Sequence, residues 1–234
     1  EIGSLANLSG TVLTGGQYIV FCPQFGVASI RVPGANIVTN RAYIYMSGAD
    51  GLFDDGTGKS ALRNLMVNDT DGTLAFDNGI NFTTGPTFTN NGSILINYQD
   101  SRILTSASFN IPGNLTNFSN KTLTGGSYAL RADGPTRAAT LRFNGADIVT
   151  NAASLQLYGE DSRILDENDL DGLRNFAVNT GTGTYSSDQN FTTVGNFRND
   201  GLIEVYSFGL FGDEVTFKVT GQLENYSAGT LTGG

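Results

Sequence analysis

Carboxylates are the side chains in this sequence that could do chemistry. The chain has 22 acidic residues and no histidine, so it lacks the commonest general base and any nucleophile system built on histidine. Catalysis would need paired carboxylates or a base with a bound cation. The acidic clusters are Asp54 with Asp55, Asp69 with Asp71, Glu160 with Asp161, and DENDLD at residues 166–171. They lie in turn-like, solvated segments, so we expect no catalytic residues and no cofactor.

The last cluster resembles the start of a calcium loop. Glu167, Asp169 and Asp171 alternate and are followed by Gly172. An EF-hand loop also requires a glutamate at its twelfth position. Counted from Glu167, that position is Val178, so the match fails. We predict a solvated acidic turn and no metal ligands, with a loop calcium as the alternative.

Residues 55–60, DGTGKS, look superficially like a phosphate loop. The full motif needs a glycine where this chain has Phe53, and it needs a helix afterwards. We therefore predict no nucleotide site. A net charge of −9, with 13 scattered Lys and Arg residues, also disfavours nucleic acids and anionic membrane surfaces. No apolar run is long enough to cross a bilayer, so we expect no membrane insertion.

Several tyrosines occupy alternating, strand-like segments. They are Tyr43, Tyr45, Tyr98, Tyr158 and Tyr206. Facing outward, such rings could stack on sugars and form a groove for a glycan or a protein. Alternation does not decide which rings face out, and we expect core or ladder positions for them.

Cys22 is the one cysteine, so it cannot form an intrachain disulfide, and we expect it to pack as a small apolar residue. The sequence also contains nine N-x-[ST] sequons. Three of them, at Asn114, Asn117 and Asn120, would be plausible attachment points if the source glycosylates surface proteins.

The elements that would position these residues repeat along the chain. LANLSGTVLTGG (residues 5–16), LTNFSNKTLTGG (115–126) and LENYSAGTLTGG (223–234) are one motif, with starts 110 and 108 residues apart. Such a period indicates an array or solenoid. We predict two full repeats, 1–114 (the repeat proper from 5) and 115–222, and the start of a third at 223–234, in one continuous solenoid.

Strand signals dominate between these motifs. Short segments rich in β-branched and aromatic residues alternate with period two between N-G, D-G, G-G and T-G turns. We predict an all-β fold, a right-handed parallel β-helix with coils of about 20–25 residues, hence roughly five per repeat. The alternative is a tandem β-sandwich, which usually joins its units through linkers; no composition shift marks a linker here.

Recurring residues indicate what the coils contain. Asparagines at equivalent positions would form turns or stacked amide ladders. They are Asn40/Asn151, Asn64/Asn175, Asn68/Asn179, Asn90/Asn199 and Asn7/Asn117/Asn225. Recurring aromatic residues should lie inside. They are Phe82/Phe191, Phe88/Phe197, Tyr18/Tyr128 and Phe118/Tyr226.

The segments TLTGGSYAL, ATLRFNGADIVTNAASLQLYG, LRNFAVNTGTG and NFTTVGNFRNDGLIEV resemble repeats of very large bacterial extracellular proteins. These are the β-helical adhesins of the filamentous-haemagglutinin and autotransporter types. The likeness covers essentially the whole chain and departs at residues 21–27 and 46–59. It implies a rigid stalk or fibre at a cell surface.

We therefore expect a non-catalytic structural module of a bacterial surface fibre or adhesin, located at the cell surface or outside the cell. Its partners would be neighbouring repeats, copies of itself end to end, or a host-surface protein or glycan. One alternative is a subunit of a filament assembled by end-to-end stacking of solenoids. The other is a carbohydrate-active β-helix enzyme.

Overall fold

The chain winds into a β-solenoid of about eight turns. The computed structural model describes residues 4–22, 26–99, 105–207 and 214–233. Nearly all regular structure is strand, and Pro135–Arg137 forms a 3₁₀ turn. The strands are β1 (Leu8–Ser9), β2 (Val12–Phe21), β3 (Ala28–Arg31), β4 (Thr39–Ser47), β5 (Gly51–Asp54), β6 (Val67–Asn68), β7 (Thr73–Asp77), β8 (Asn81–Thr83), β9 (Thr87–Asn90), β10 (Ser93–Ile96), β11 (Ala107–Ile111), β12 (Asn114–Leu115), β13 (Phe118–Ser119), β14 (Thr122–Arg131), β15 (Ala139–Phe143), β16 (Thr150–Tyr158), β17 (Ser162–Leu165), β18 (Val178–Asn179), β19 (Thr184–Ser187), β20 (Phe191–Thr192), β21 (Phe197–Asn199), β22 (Leu202–Val205), β23 (Phe217–Lys218), β24 (Leu223–Asn225) and β25 (Thr230–Gly233).

One long sheet runs the length of the solenoid, and we call its solvent-facing side the long face. Its layers, in order, are β2, β4, β6 with β7, β9 with β10, β14, β16, β18 with β19, β21 with β22, and β24 with β25. Successive layers pair in parallel. The second face consists of the parallel sets β3–β5, β8–β11–β15–β17 and β20–β23. The parallel pairing of successive coils confirms the predicted solenoid and excludes the tandem β-sandwich.

The predicted number of coils is wrong. Hydrogen-bonded asparagines of neighbouring coils are 28, 22, 28, 20 and 26 residues apart. These spacings average about 25 residues, which is the upper limit of the predicted 20–25. The layers of the long sheet nevertheless place four coils, and not five, in each repeat of about 110 residues.

A single apolar core fills the interior between the two faces. Most apolar side chains point inward and most polar ones outward. In β16 buried and half-buried positions alternate, with the polar Asn151 among the buried ones. Phe88 and Phe197 are fully buried, as predicted, and so is Tyr128. Tyr226 is a correction: its side chain is 48% exposed. The Arg198 guanidinium lies 4.5 Å from its ring centroid, and no described coil covers the ring.

The predicted asparagine ladder exists and lies inside the coils. Asn40 donates to Asn68 at 2.9 Å, and Asn68 donates to Asn90 at 2.8 Å. A second run continues from Asn151 through Asn179 and Asn199 to Asn225, with N···O distances of 2.8–2.9 Å. Between the two runs Leu123 takes the ladder position, in register with Asn151.

That interruption is the repeated LTGG motif. Its first two copies fold into small antiparallel hairpins, β1 with β2 and β13 with β14. Gly125 and Gly126 follow at positive φ, and the register of β14 shifts between Thr124 and Ser127, which is a β-bulge. The third copy instead adds parallel strands β24 and β25 to the stack. The chain crosses residue 115 inside the solenoid, while the division into repeats at 114 and 222 stays a prediction about the sequence.

Candidate ligand-binding groove

The outer surface of the long face carries a row of tyrosines. Tyr98, Tyr158 and Tyr206 lie in alternate coils, each at or just beyond the end of its strand. The ring centroids of Tyr98 and Tyr158 are 6.2 Å apart, and those of Tyr158 and Tyr206 are 6.4 Å apart. All three rings are half-buried. These tyrosines form a row along the stack, which agrees with the ladder half of the expectation and not with the core half. Tyr158 occupies an outward position of β16.

An open cavity of about 410 Å³ lies beside this row. We call it the tyrosine groove. Its lining residues are Tyr98, Arg131, Ala132, Asp133, Tyr158, Gly159 and Asp188. Arg131 pairs in register with Tyr158 in the next coil, so charged side chains alternate with rings along the solenoid axis.

The corner at Gly159 explains why the groove has a fixed shape. Gly159 has a φ of +80°, and a Cβ there would lie 2.1 Å from the Ala132 carbonyl oxygen. Glycine is therefore required. Its N–H donates to Asp188 Oδ1 at 2.6 Å. Gln189 Nε2 closes the same corner by donating to the Gly159 and Ser162 carbonyls at 2.7 and 2.9 Å.

Electrostatics keep the hydroxyls of Tyr158 and Tyr206 protonated. Burial raises the pKa of Tyr158 to about 12, helped by the nearby Tyr98, Tyr206 and Glu204. The hydrogen bond with Glu204 raises the pKa of Tyr206. Burial also raises the pKa of Asp188, opposed by the Gly159 N–H and by Arg131.

The other tyrosine candidates do not join this row. Tyr43 and Tyr45 lie on the same outer face but in the second coil, within β4. Sequence reasoning missed Arg131, Asp133 and Asp188. Arg131 and Asp133 come from the corner after β14 and Asp188 from the corner after β19, and only the coil lengths, which periodicity does not give, would have brought them together.

The carboxylates of the acidic clusters accept hydrogen bonds within the loops that contain them and so stabilise those loops. Asp54 Oδ1 accepts the Gly56 and Gly58 N–H groups at 2.8 and 2.9 Å. Asp166 Oδ1 accepts the Asn168 and Leu170 N–H groups in the same way. The loop at 55–60 thus fills its own anion-binding nest with a carboxylate.

Four of the other acidic residues in these clusters also have defined partners. Arg41 pairs with Asp69 at 2.7 Å, Arg142 with Asp169, and Arg163 with Asp161. Glu167 Oε2 accepts the Gly145 N–H at 2.6 Å. Across the described ranges, no three acidic or cysteine side chains are grouped so that they could hold a metal ion.

Two minor candidates also have defined places. Cys22 is 5% exposed and packs in the interior, as expected. Among the sequons, Asn114 and Asn120 are exposed, whereas Asn117 is buried. Its Oδ1 accepts the Asn90 N–H at 2.7 Å, so this side chain is part of the stack and not a glycan attachment point. The helices in the described part of the chain include none with the length and apolar character needed to cross a membrane.

Comparisons of the chain with models of protein families, with curated proteins and with solved structures give no match. Arguments about function therefore rest on the geometry of the solenoid and of its surface.

Proposed function

We propose that this chain is a non-catalytic structural module of a bacterial cell-surface or extracellular fibre. The observation that carries the proposal is the uninterrupted stack. Core side chains and ladder asparagines run through consecutive coils, so each coil buries its apolar side chains against its neighbours. In such an architecture length increases with each added coil, and the continuous core between neighbouring coils resists bending.

Electron microscopy of tandem chains tests this proposal. Four coils at about 4.8 Å each give about 19 Å of axial rise per repeat. Chains with two, four and eight copies of residues 5–222 should be straight rods whose length increases in proportion to copy number. Rods that bend freely at each junction, or lengths that do not increase regularly, would contradict a stalk.

The absence of catalysis is part of the proposal. If the acidic residues cleaved a polysaccharide, neutralising Asp166, Asp169 and Asp171 would abolish the cleavage. We expect the unaltered protein to release no reducing ends from acidic or neutral polysaccharides. Measurable release that the triple substitution removes would refute this part of the proposal.

A filament subunit, formed by end-to-end stacking of solenoids, is a second candidate, since a further coil, from this chain or from another copy, would cover the apolar side chains of the coil that contains β24 and β25. Leu223 and Leu231 continue core rows, yet both are 43% exposed. They border an open cavity of about 430 Å³ together with Ile203 and Phe217. Strand edges and apolar ends of this kind favour pairing with another chain.

A further inference from the structure

We propose that the tyrosine groove binds a neutral, linear oligosaccharide lying along the solenoid axis. This goes beyond a mechanical role and does not depend on it. The first ground is the arrangement of rings: Tyr98, Tyr158 and Tyr206 recur in every second coil along one line. A chain molecule with repeating apolar faces could contact all three.

The chemistry of the lining matches a pyranose. A sugar ring presents C–H groups on its faces and hydroxyls at its edge. Aromatic rings attract the C–H groups, and planar polar side chains bond the hydroxyls. Arg131 supplies donors, while Asp133 and Asp188 supply acceptors around the same cavity. A volume of about 410 Å³ lies within the usual range of small-molecule sites.

Charge selects among saccharides. Arg131, Asp133 and Asp188 line the groove. Asp133 is paired with Arg137, so Asp188 and Glu204, which lies beside Tyr206, supply the excess negative charge. The chain as a whole carries a net charge of −9. Uronic-acid polymers are therefore repelled, and neutral sugars are favoured.

A peptide fits the groove less well. Extended peptides usually bind by adding a strand to a sheet edge. Here β16 is already paired with β14 on one side and with β18 and β19 on the other, so no main-chain edge is open at Tyr158. A ligand at this surface therefore contacts side chains and not main-chain hydrogen-bonding groups.

Isothermal titration calorimetry tests the site with named probes. Cellohexaose and N-acetylchitohexaose are the neutral oligosaccharides, and hexagalacturonate is the acidic control of equal length. We expect saturable one-site binding of at least one neutral probe and none of hexagalacturonate. Tyr158→Ala should weaken binding about tenfold or more.

Tyr43→Ala is the matched control, since Tyr43 is a half-buried tyrosine on the same face but two coils away from the groove. It should leave the affinity unchanged. Circular dichroism and the thermal midpoint establish that each variant is folded. If Tyr158→Ala does not fold, Arg131→Ala, at an exposed position, replaces it and should also weaken binding.

Three results would overturn the proposal: no heat of binding with either neutral probe at millimolar concentration, equal weakening by Tyr43→Ala, or equal affinity for hexagalacturonate. Rod formation by tandem chains would stand in each case, so failure of the sugar site is distinguishable from failure of the stalk.

Discussion

Asn179 illustrates what a single residue contributes to the stack. Its Oδ1 accepts from Asn151 Nδ2, and its Nδ2 donates to Asn199 Oδ1, both at 2.9 Å. The side chain is fully buried. A buried amide with these partners fixes the register between three successive coils, because any slip would leave polar groups without partners.

Replacing this amide should be costly. We expect Asn179→Ala to lower the free energy of unfolding by about 1–3 kcal/mol, since it leaves buried amide groups of Asn151 and Asn199 short of partners. Asn175→Ala is the control: Asn175 is exposed and donates to Asp147, so its loss should change stability by about 0.5 kcal/mol or less. Urea denaturation measures both. Equal costs would show that the ladder does not stabilise the coils.

Acid should destabilise the protein through its loop carboxylates. The hydrogen bond from Arg31, at 2.6 Å, holds the pKa of Asp54 below its usual 3.8, aided by the Gly58 and Gly56 N–H groups. Lys121 does the same for Asp147. A carboxyl with a lowered pKa stabilises the fold above its unfolded-state pKa, and that stability is lost as pH falls through the folded-state value.

The free energy of unfolding should therefore be level near neutral pH and decline below pH about 4. Asp54→Asn should make the decline shallower. Asp188 acts in the opposite sense, because burial raises its pKa, and Asp188→Asn should stabilise the protein at pH 7. Denaturant titrations across pH measure these effects. A stability that rises on acidification would contradict the assignment.

At the residue scale, recurrence predicted what is inside better than what is outside. It identified the ladder asparagines and Phe88 with Phe197, because equal positions in stacked coils have equal surroundings. It failed for Tyr226, whose equivalent Phe118 packs against the core. The ring of Phe118 packs against Phe143 of the following coil, with the ring centroids 5.1 Å apart, whereas no described coil follows the one that contains Tyr226.

At the scale of elements, short turns separate the two strands of one layer in the long sheet, such as β18 and β19. In these turns the backbone passes close to the asparagine ladder. Gly183 begins the return to β19 after the ladder residue Asn179. A Cβ at Gly183 would lie 2.4 Å from Asn179 Oδ1 and 2.5 Å from the Asn151 carbonyl oxygen. The second contact is with backbone, which cannot move aside cheaply.

Gly183→Ala should therefore cost about 1–3 kcal/mol. Gly181→Ala, two residues earlier in the same turn, meets only the Asp200 carbonyl oxygen at 3.8 Å. That substitution should be neutral or stabilising by up to about 1 kcal/mol, because alanine restricts the unfolded chain. Thermal unfolding of both variants measures these stability changes. An equal loss of stability in the two variants would show that the turn needs flexible glycines, and that close approach to the ladder is not the cause.

Some strands could be predicted from the sequence, whereas their pairing in the LTGG motif could not. Period-two alternation predicts strands at residues 42–46, 93–98, 153–158 and 202–206, because it follows directly from one buried face. The strands β4, β10, β16 and β22 overlap these segments. The hairpin of β13 with β14 was not predicted. Its motif recurs three times, yet the third copy forms parallel strands, so the same residues adopt different pairings according to their neighbours.

For the whole molecule, the apolar end of the last coil bears on assembly. If copies stack end to end, Leu231→Lys should abolish association, because it places a charge where apolar surface would be buried. Met66→Lys is the control, since Met66 is 41% exposed, much as Leu231 is, but lies just before β6 in the third coil. Sedimentation velocity over a range of protein concentrations measures both variants. Association that persists in Leu231→Lys would exclude this end as the contact.

The central claim is that both sequence repeats form one stack without a linker. Hydrogen exchange of the intact chain across residues 107–158, followed by mass spectrometry, tests it most directly. The amides of β11, β14, β15 and β16 lie in parallel ladders on both sides of residue 115, so we expect slow exchange that is continuous through β14. Rapid exchange over residues 112–131, between two protected blocks, would instead indicate two separate domains and would contradict the solenoid account.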